Sequence, residues 1–204
     1  MAANFRATLE EINTLYLEAG GEPVQVSSAS TGVLANQALY GAPFHLLLAA
    51  DTAAPALLAQ RGIAGEPFCF AVGQLALAGG ALAALADPAH SVAIGNPETA
   101  PYGRAALEVL ARPAFSPGGN RKLVRGNNVL QAYQFWRSGA VDLALVARSL
   151  AGEDGTPVPA EWHQPLLQHG VVLREHPALA AYLAHLRSDR VRSLILDAGY
   201  LTCP

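Results

Sequence analysis

Apolar residues at Phe5, Leu9, Ile12, Leu15, Tyr16 and Leu17 recur with helical spacing. They predict an amphipathic helix over residues 4–19, closed by Gly20 and Gly21. Residues 24–28 alternate as a strand does, and residues 33–40 read as a second helix. Residues 44–50 form an unbroken apolar run, the mark of a strand buried on both faces of a parallel sheet. Asp51 ends that run and is placed to cap a helix over 55–60. Helix, strand, helix, strand, helix in that order predicts an α/β protein with parallel connections.

The same rhythm continues downstream. Strands are predicted over 68–77, 91–95, 122–124, 143–147 and 166–173, with helices over 104–110, 129–136, 177–186 and 191–198. Residues 113–119 and the polar stretch 152–159 read as connections. No internal repeat appears at solenoid spacing.

Composition narrows the function classes. About half of the residues are apolar and only 14% are charged, which places the chain among compact globular proteins. A formal net charge of −3 argues against nucleic acid, because phosphate contacts need clustered Lys and Arg. Arg121, Lys122 and Arg125 form the one basic cluster, read as a solvated loop. The longest apolar stretch, 75–86, is too short to span a bilayer and holds Gly79 and Gly80. The N-terminus shows no basic region followed by an apolar core, so no secretory signal is visible. Cys69 reads as a small buried hydrophobe and Cys203 as a free tail thiol. Pairing between them, and with it the redox compartment, stays open.

An enzyme would need a nucleophile, a base and an orienting group. The chain has no Gly-x-Ser-x-Gly elbow, no phosphate loop and no dinucleotide fingerprint. His163, His169 and His176 lack metal-ligand spacing and read as solvated or half-buried. Asp51 and Asp142 stand at element ends, where capping accounts for them. The expectation is a protein without catalytic residues, metal or cofactor.

What remains is a recurring turn. Four times a small, polar or glycine-containing turn leads straight into a helix: Ala3-Asn4, Ser30-Thr31-Gly32, Pro101-Tyr102-Gly103 and Asn127-Asn128. Helix N-termini present N–H groups and partial positive charge, which suits a small anion. Ordinary N-caps look the same, so the turns by themselves do not decide.

The series Ala2-Ala3-Asn4-Phe5, Ser28-Ala29-Ser30-Thr31-Gly32, Tyr40-Gly41-Ala42-Pro43-Phe44 and Leu48-Ala49-Ala50-Asp51 resembles molybdate-binding proteins of ABC importers. The resemblance continues through Val92-Ala93-Ile94-Gly95-Asn96-Pro97, Ala100-Pro101-Tyr102-Gly103-Arg104 and Gly126-Asn127-Asn128-Val129, in the family's order and over nearly the whole chain. It implies a two-lobed periplasmic-binding-protein type II fold, α/β, each lobe a mainly parallel sheet flanked by helices, with the ligand cleft between lobes. The first lobe would comprise residues 1–72 plus 171–204, lacking the family's first strand, and the second residues 73–170.

The resemblance also implies a tetrahedral oxyanion, molybdate or tungstate, held by Asn4, Ser30, Thr31, Tyr102, Val129 and Ala147. Tyr102 and Val129 would act through backbone N–H. Asn4 stands where many members carry serine, and Ala147 where many carry tyrosine, with Arg148 beside it as a substitute donor. The implied setting is periplasmic, with an ABC permease as partner, no nucleic acid, no membrane insertion and a monomeric state. The alternatives are a ligand-sensing domain of the same fold or a binding protein repurposed for another small anion.

Overall fold

A computed structural model describes residues 1–116 and 121–204; the last part of the connection expected over 113–119 lies outside the described residues. A short 3-10 turn, Ala3–Phe5, leads into α1 (Arg6–Glu18), followed by α2 (Thr31–Leu39), β1 (Leu46–Leu48), α3 (Ala53–Gln60) and β2 (Phe68–Gly73). Then come β3 (Leu75–Ala78), β4 (Val92–Gly95), α4 (Pro101–Leu110), β5 (Leu123–Gly126), α5 (Val129–Arg137) and β6 (Leu143–Ala147). The chain closes with α6 (Arg148–Ala151), β7 (Gly155–Pro157), β8 (Leu166–Val172), α7 (Leu179–Leu186) and α8 (Asp189–Asp197). Two compact units result: Met1–Val72 with Leu167–Pro204, and Gly73–Leu166.

The first unit is built on the sheet β1-β8-β2. β1 shows why residues 44–50 are apolar throughout. Leu48 enters a core with Phe5, Leu9, Ile12, Val191, Ile195 and Tyr200, while Leu47 enters another with Leu34, Ala38, Leu58 and Val171. Helices therefore cover both faces, as the run predicts. The direction differs from expectation, since β1 and β8 pair antiparallel through Leu47↔Val171. Burial on both faces comes from the helices, not from strand direction, so an apolar run cannot report orientation.

A second difference concerns residues 24–28. They alternate like a strand yet belong to no ladder; the nearest pairing is the isolated parallel bridge Ala2↔Ala29. The helix expected over 4–19 agrees with the structure, and Gly20 ends α1 at φ +85°, a left-handed position that favours glycine. Asp51 Oδ1 accepts the Ala54 N–H at 3.1 Å at the start of α3, as predicted.

The cysteine expectation is overturned. Cys69 and Cys203 are joined, with sulfurs 1.99 Å apart across a sequence separation of 134. The backbone pair between Val72 and Leu201, bonded in both directions at 2.9 and 2.8 Å, holds the tail against β2 and brings the thiols together. Closing so long a loop stabilises a fold by about 3–5 kcal/mol in the chain-entropy account.

The second unit carries the five-stranded sheet β5-β4-β6-β3-β7. β4 is parallel to both β5 and β6, and β3 is antiparallel to β6 and β7. Every residue of β3, β4 and β6 is buried. β7 falls inside the stretch read as a polar connection. It has three residues and ends in proline, too little for a period-2 signal. The run 68–77 breaks at Gln74 into β2 and β3, and α4 begins three residues earlier than its periodicity indicated.

Candidate oxyanion-binding site

In the first unit, Asn4, Ser30 and Thr31 are all buried, at 2, 4 and 1% exposure. Asn4 sits in the 3-10 turn before α1. Its Nδ2 donates to Gln168 Oε1 at 3.0 Å and to Tyr200 Oη at 3.1 Å, and Tyr200 Oη donates back to the Asn4 carbonyl at 2.9 Å. The Asn4 amide thus fastens the start of the chain to β8 and to the C-terminal tail. Sequence reasoning missed Gln168 and Tyr200. Gln168, fully buried within β8, carried a signal: a polar side chain on the buried face of such a strand needs a buried partner.

Ser30 and Thr31 begin α2. Thr31 Oγ1 accepts the Ala50 N–H at 2.9 Å, which anchors the hydroxyl and leaves its proton to donate. Ser30 is the N-cap residue, yet its Oγ makes no capping bond and is buried without a partner among the described residues. An unsatisfied buried hydroxyl costs about 1–3 kcal/mol. The first turn of α2 has no acidic residue, so nothing in it offsets the positive helix end.

In the second unit, Tyr102, Val129 and Ala147 lie at the C-terminal ends of neighbouring parallel strands, where α4 follows β4, α5 follows β5 and α6 follows β6. Open α/β sheets bind ligands along this edge. Glycines bring the helix starts close to β4. A Cβ on Gly103 would stand 2.2 Å from the Gly95 carbonyl oxygen, and one on Gly95 would stand 3.2 Å from the Val129 nitrogen. Both helices can therefore begin directly at the tip of β4.

Val129 is the first residue of α5. Asn128 caps the helix by accepting the Gln131 N–H at 3.0 Å, and Gln131 Oε1 accepts the Asn127 N–H at 2.6 Å. The first turns of α4 and α5 hold no acidic side chain. Ala147 is fully buried at the end of β6 and brings no polar side-chain atom. Arg148, the suggested substitute, donates from Nη1 to the Gly155 carbonyl at 3.4 Å.

The remaining polar candidates are occupied structurally. Asp142 Oδ2 accepts the Ser91 hydroxyl at 2.6 Å and the Ser91 N–H at 2.8 Å. Those two bonds hold its carboxyl below the usual range. Burial pushes the His169 imidazole down, opposed by the Asp51 charge. Arg121 was expected in solvent, yet its Nη2 reaches the carbonyls of Leu85 and Phe115. Among the described residues, no group of three or more His, Cys, Asp or Glu is placed to hold a metal. No described helix is long and apolar enough to cross a membrane.

A two-unit α/β chain with polar helix starts at strand ends has the features of a solute receptor. Residues 1–201 match the family model described as bacterial extracellular solute-binding protein, and the chain belongs to that family. It is 34% identical over 220 aligned positions to the molybdate-binding protein ModA of Azotobacter vinelandii, covering 98% of this chain and 87% of the relative. The Rhodobacter capsulatus molybdate-binding protein ModA is also 34% identical, over 224 positions covering 99% and 86%. Among solved structures, the periplasmic molybdate-binding protein of Azotobacter vinelandii superposes with a TM-score of 0.89 at 29% identity, covering 100% of this chain and 98% of that one. The family resemblance and the fold read from the sequence are borne out.

Proposed function

We propose that this chain captures a tetrahedral oxyanion of the molybdate and tungstate class outside the cytoplasm and delivers it to the permease of an ABC importer. The observation that carries the proposal is Ser30 Oγ, a buried hydroxyl without a partner at the start of α2, next to the anchored Thr31 hydroxyl. A fold that keeps such a donor at a cost gains from it when an acceptor arrives. Ser30 and Thr31 donate through their side chains, and Tyr102 and Val129 through backbone N–H at the starts of α4 and α5. Asn4 positions this end of the chain through Gln168 and Tyr200. Ala147 leaves space rather than a hydrogen bond.

Neutral donors and helix ends suit a fully deprotonated dianion, since they offer hydrogen bonds without a competing carboxylate. The role is binding and transfer, in keeping with the relatives' names. The Cys69–Cys203 disulfide fits an oxidising, extracytoplasmic compartment. A thermal-shift titration with molybdate, tungstate, sulfate and phosphate tests the proposal. A ligand that binds only the folded state adds RT ln(1 + [L]/Kd), about 4 kcal/mol at a thousandfold excess. A large shift with molybdate and tungstate alone is expected; no shift with any of the four, on a cooperatively melting protein, would refute it.

A further inference from the structure

The C-terminal tail reaches the oxyanion-binding turn from a covalent anchor. After α8 the chain turns at Gly199, φ +87°, and Tyr200 enters the core of the first unit at 2% exposure. Its ring meets Phe5 edge-on, with centroids 5.4 Å apart. Its hydroxyl acts twice on one residue: it accepts the Asn4 amide at 3.1 Å and donates to the Asn4 carbonyl at 2.9 Å. One phenol oxygen therefore holds both the side chain and the main chain of Asn4. Gln168 Oε1 accepts from the same amide nitrogen at 3.0 Å, so both amide protons are used.

Asn4 is the middle residue of the 3-10 turn Ala3–Phe5, and that turn is fastened to the start of α2. Ala3 N–H donates to the Ala29 carbonyl at 2.9 Å, and Ala29 precedes Ser30. On the other side of Tyr200, Leu201 exchanges both backbone bonds with Val72 in an isolated antiparallel bridge, and Cys203 is joined to Cys69 of β2. Chain ends fray unless tied down. A single bridge ties weakly, so the disulfide is the main restraint on the tail. Both cysteines are half-buried, within reach of a small reductant.

We propose, on the oxyanion reading above, that Tyr200 is a positioning residue of the binding site and that the Cys69–Cys203 bond holds it in place, so that anion affinity follows the redox state of the tail. Tyr200 touches no ligand in this account; it fixes the turn at Asn4, and the turn fixes the approach to Ser30. Donors already set in place bind an anion without a further ordering cost. A dithiol reductant delivers two electrons and two protons to the disulfide, the S–S bond breaks into two thiols, and the dithiol leaves as its own disulfide. The tail beyond Gly199 then keeps only the bridge to Val72, and the Tyr200 clamp on Asn4 loosens.

Titration calorimetry with molybdate, on the wild-type chain and on Tyr200→Phe, each oxidised and each reduced with dithiothreitol, tests the link well below Tm. Reduction of the wild type is expected to weaken binding about fivefold or more. Oxidised Tyr200→Phe should already bind at that weaker level, and reducing it should change the affinity less than twofold, because the two changes act through one clamp. A reduced wild type with lower Tm and unchanged affinity overturns the proposal and leaves the disulfide a purely structural brace. So does an equal loss on reduction in Tyr200→Phe, or an oxidised Tyr200→Phe that binds as the wild type does. Should the oxidised wild type bind no oxyanion, the functional reading fails, and amide exchange without ligand decides the link on its own. Reduction is then expected to speed exchange at Ala3 and Phe5 about tenfold or more, and unchanged exchange at both overturns it.

Discussion

Ser30 and Ser188 occupy equivalent places at the starts of α2 and α8, with nearly the same backbone: φ −67° and ψ 153° for Ser30, φ −66° and ψ 152° for Ser188. Ser188 Oγ accepts the Val191 N–H at 3.4 Å. Asp189 follows in the first turn of α8 and pairs with Arg192 at 2.8 Å. This helix start is completed by its own chain. Ser30 is more deeply buried, makes no capping bond, and is followed by Thr31 and Gly32 instead of a carboxylate. Residue type and backbone geometry agree, so neither separates a structural cap from a binding donor. Internal satisfaction does: one hydroxyl is used by the fold, and the other is kept from water with nothing to bond.

The comparison can be pressed at four points. In the second unit a glycine, not a hydroxyl, sets the helix start, and Gly103→Ala would drive a Cβ into the Gly95 carbonyl. Thermal or urea unfolding should show a loss of about 3 kcal/mol or more, with the Ser30 side untouched. Ser30→Ala should weaken oxyanion binding by roughly 10–100-fold, about 1.5–3 kcal/mol for a hydrogen bond to a charged group. The ligand-free Tm should stay level or rise. A fall in Tm with unchanged affinity in calorimetry would make Ser30 a structural cap like Ser188.

Ser188→Ala should do the reverse. Removing a satisfied cap costs about 1 kcal/mol of stability, and titration calorimetry should find the affinity unaltered. The smallest effect belongs to Asp142, which accepts the Ser91 hydroxyl and donates its N–H to Ser91 Oγ at 3.0 Å. The Asp142 carboxyl is held below its ordinary value in the fold. Its contribution is therefore present above the unfolded value near 4 and is lost as pH falls through the lower folded value. Asp142→Asn should flatten the acid limb of a Tm–pH curve slightly and leave the neutral region with a constant offset.

Much of the fold was legible in local pattern. α1 follows from apolar positions at helical spacing and a left-handed Gly20, and β6 from five consecutive apolar residues between turns. Both depend on neighbours a few positions apart. The site was legible only as far as the helix starts, where Ser30-Thr31-Gly32 and Pro101-Tyr102-Gly103 look like any caps. Gln168 and Tyr200, which occupy the Asn4 amide, lie 164 and 196 residues from it, beyond the reach of any spacing argument.

By itself the sequence determined where the longer helices and the buried strands such as β4 and β6 form and which faces are apolar, because periodicity and turn chemistry act over one or two turns of chain. Tertiary structure decided the antiparallel direction of β8 beside β1, the union of Cys69 with Cys203, and the missing ladder beside residues 24–28. It also decided which buried hydroxyl is left without a partner. Each of these depends on distant segments meeting, and a polar group's partner is set by what the whole fold packs against it.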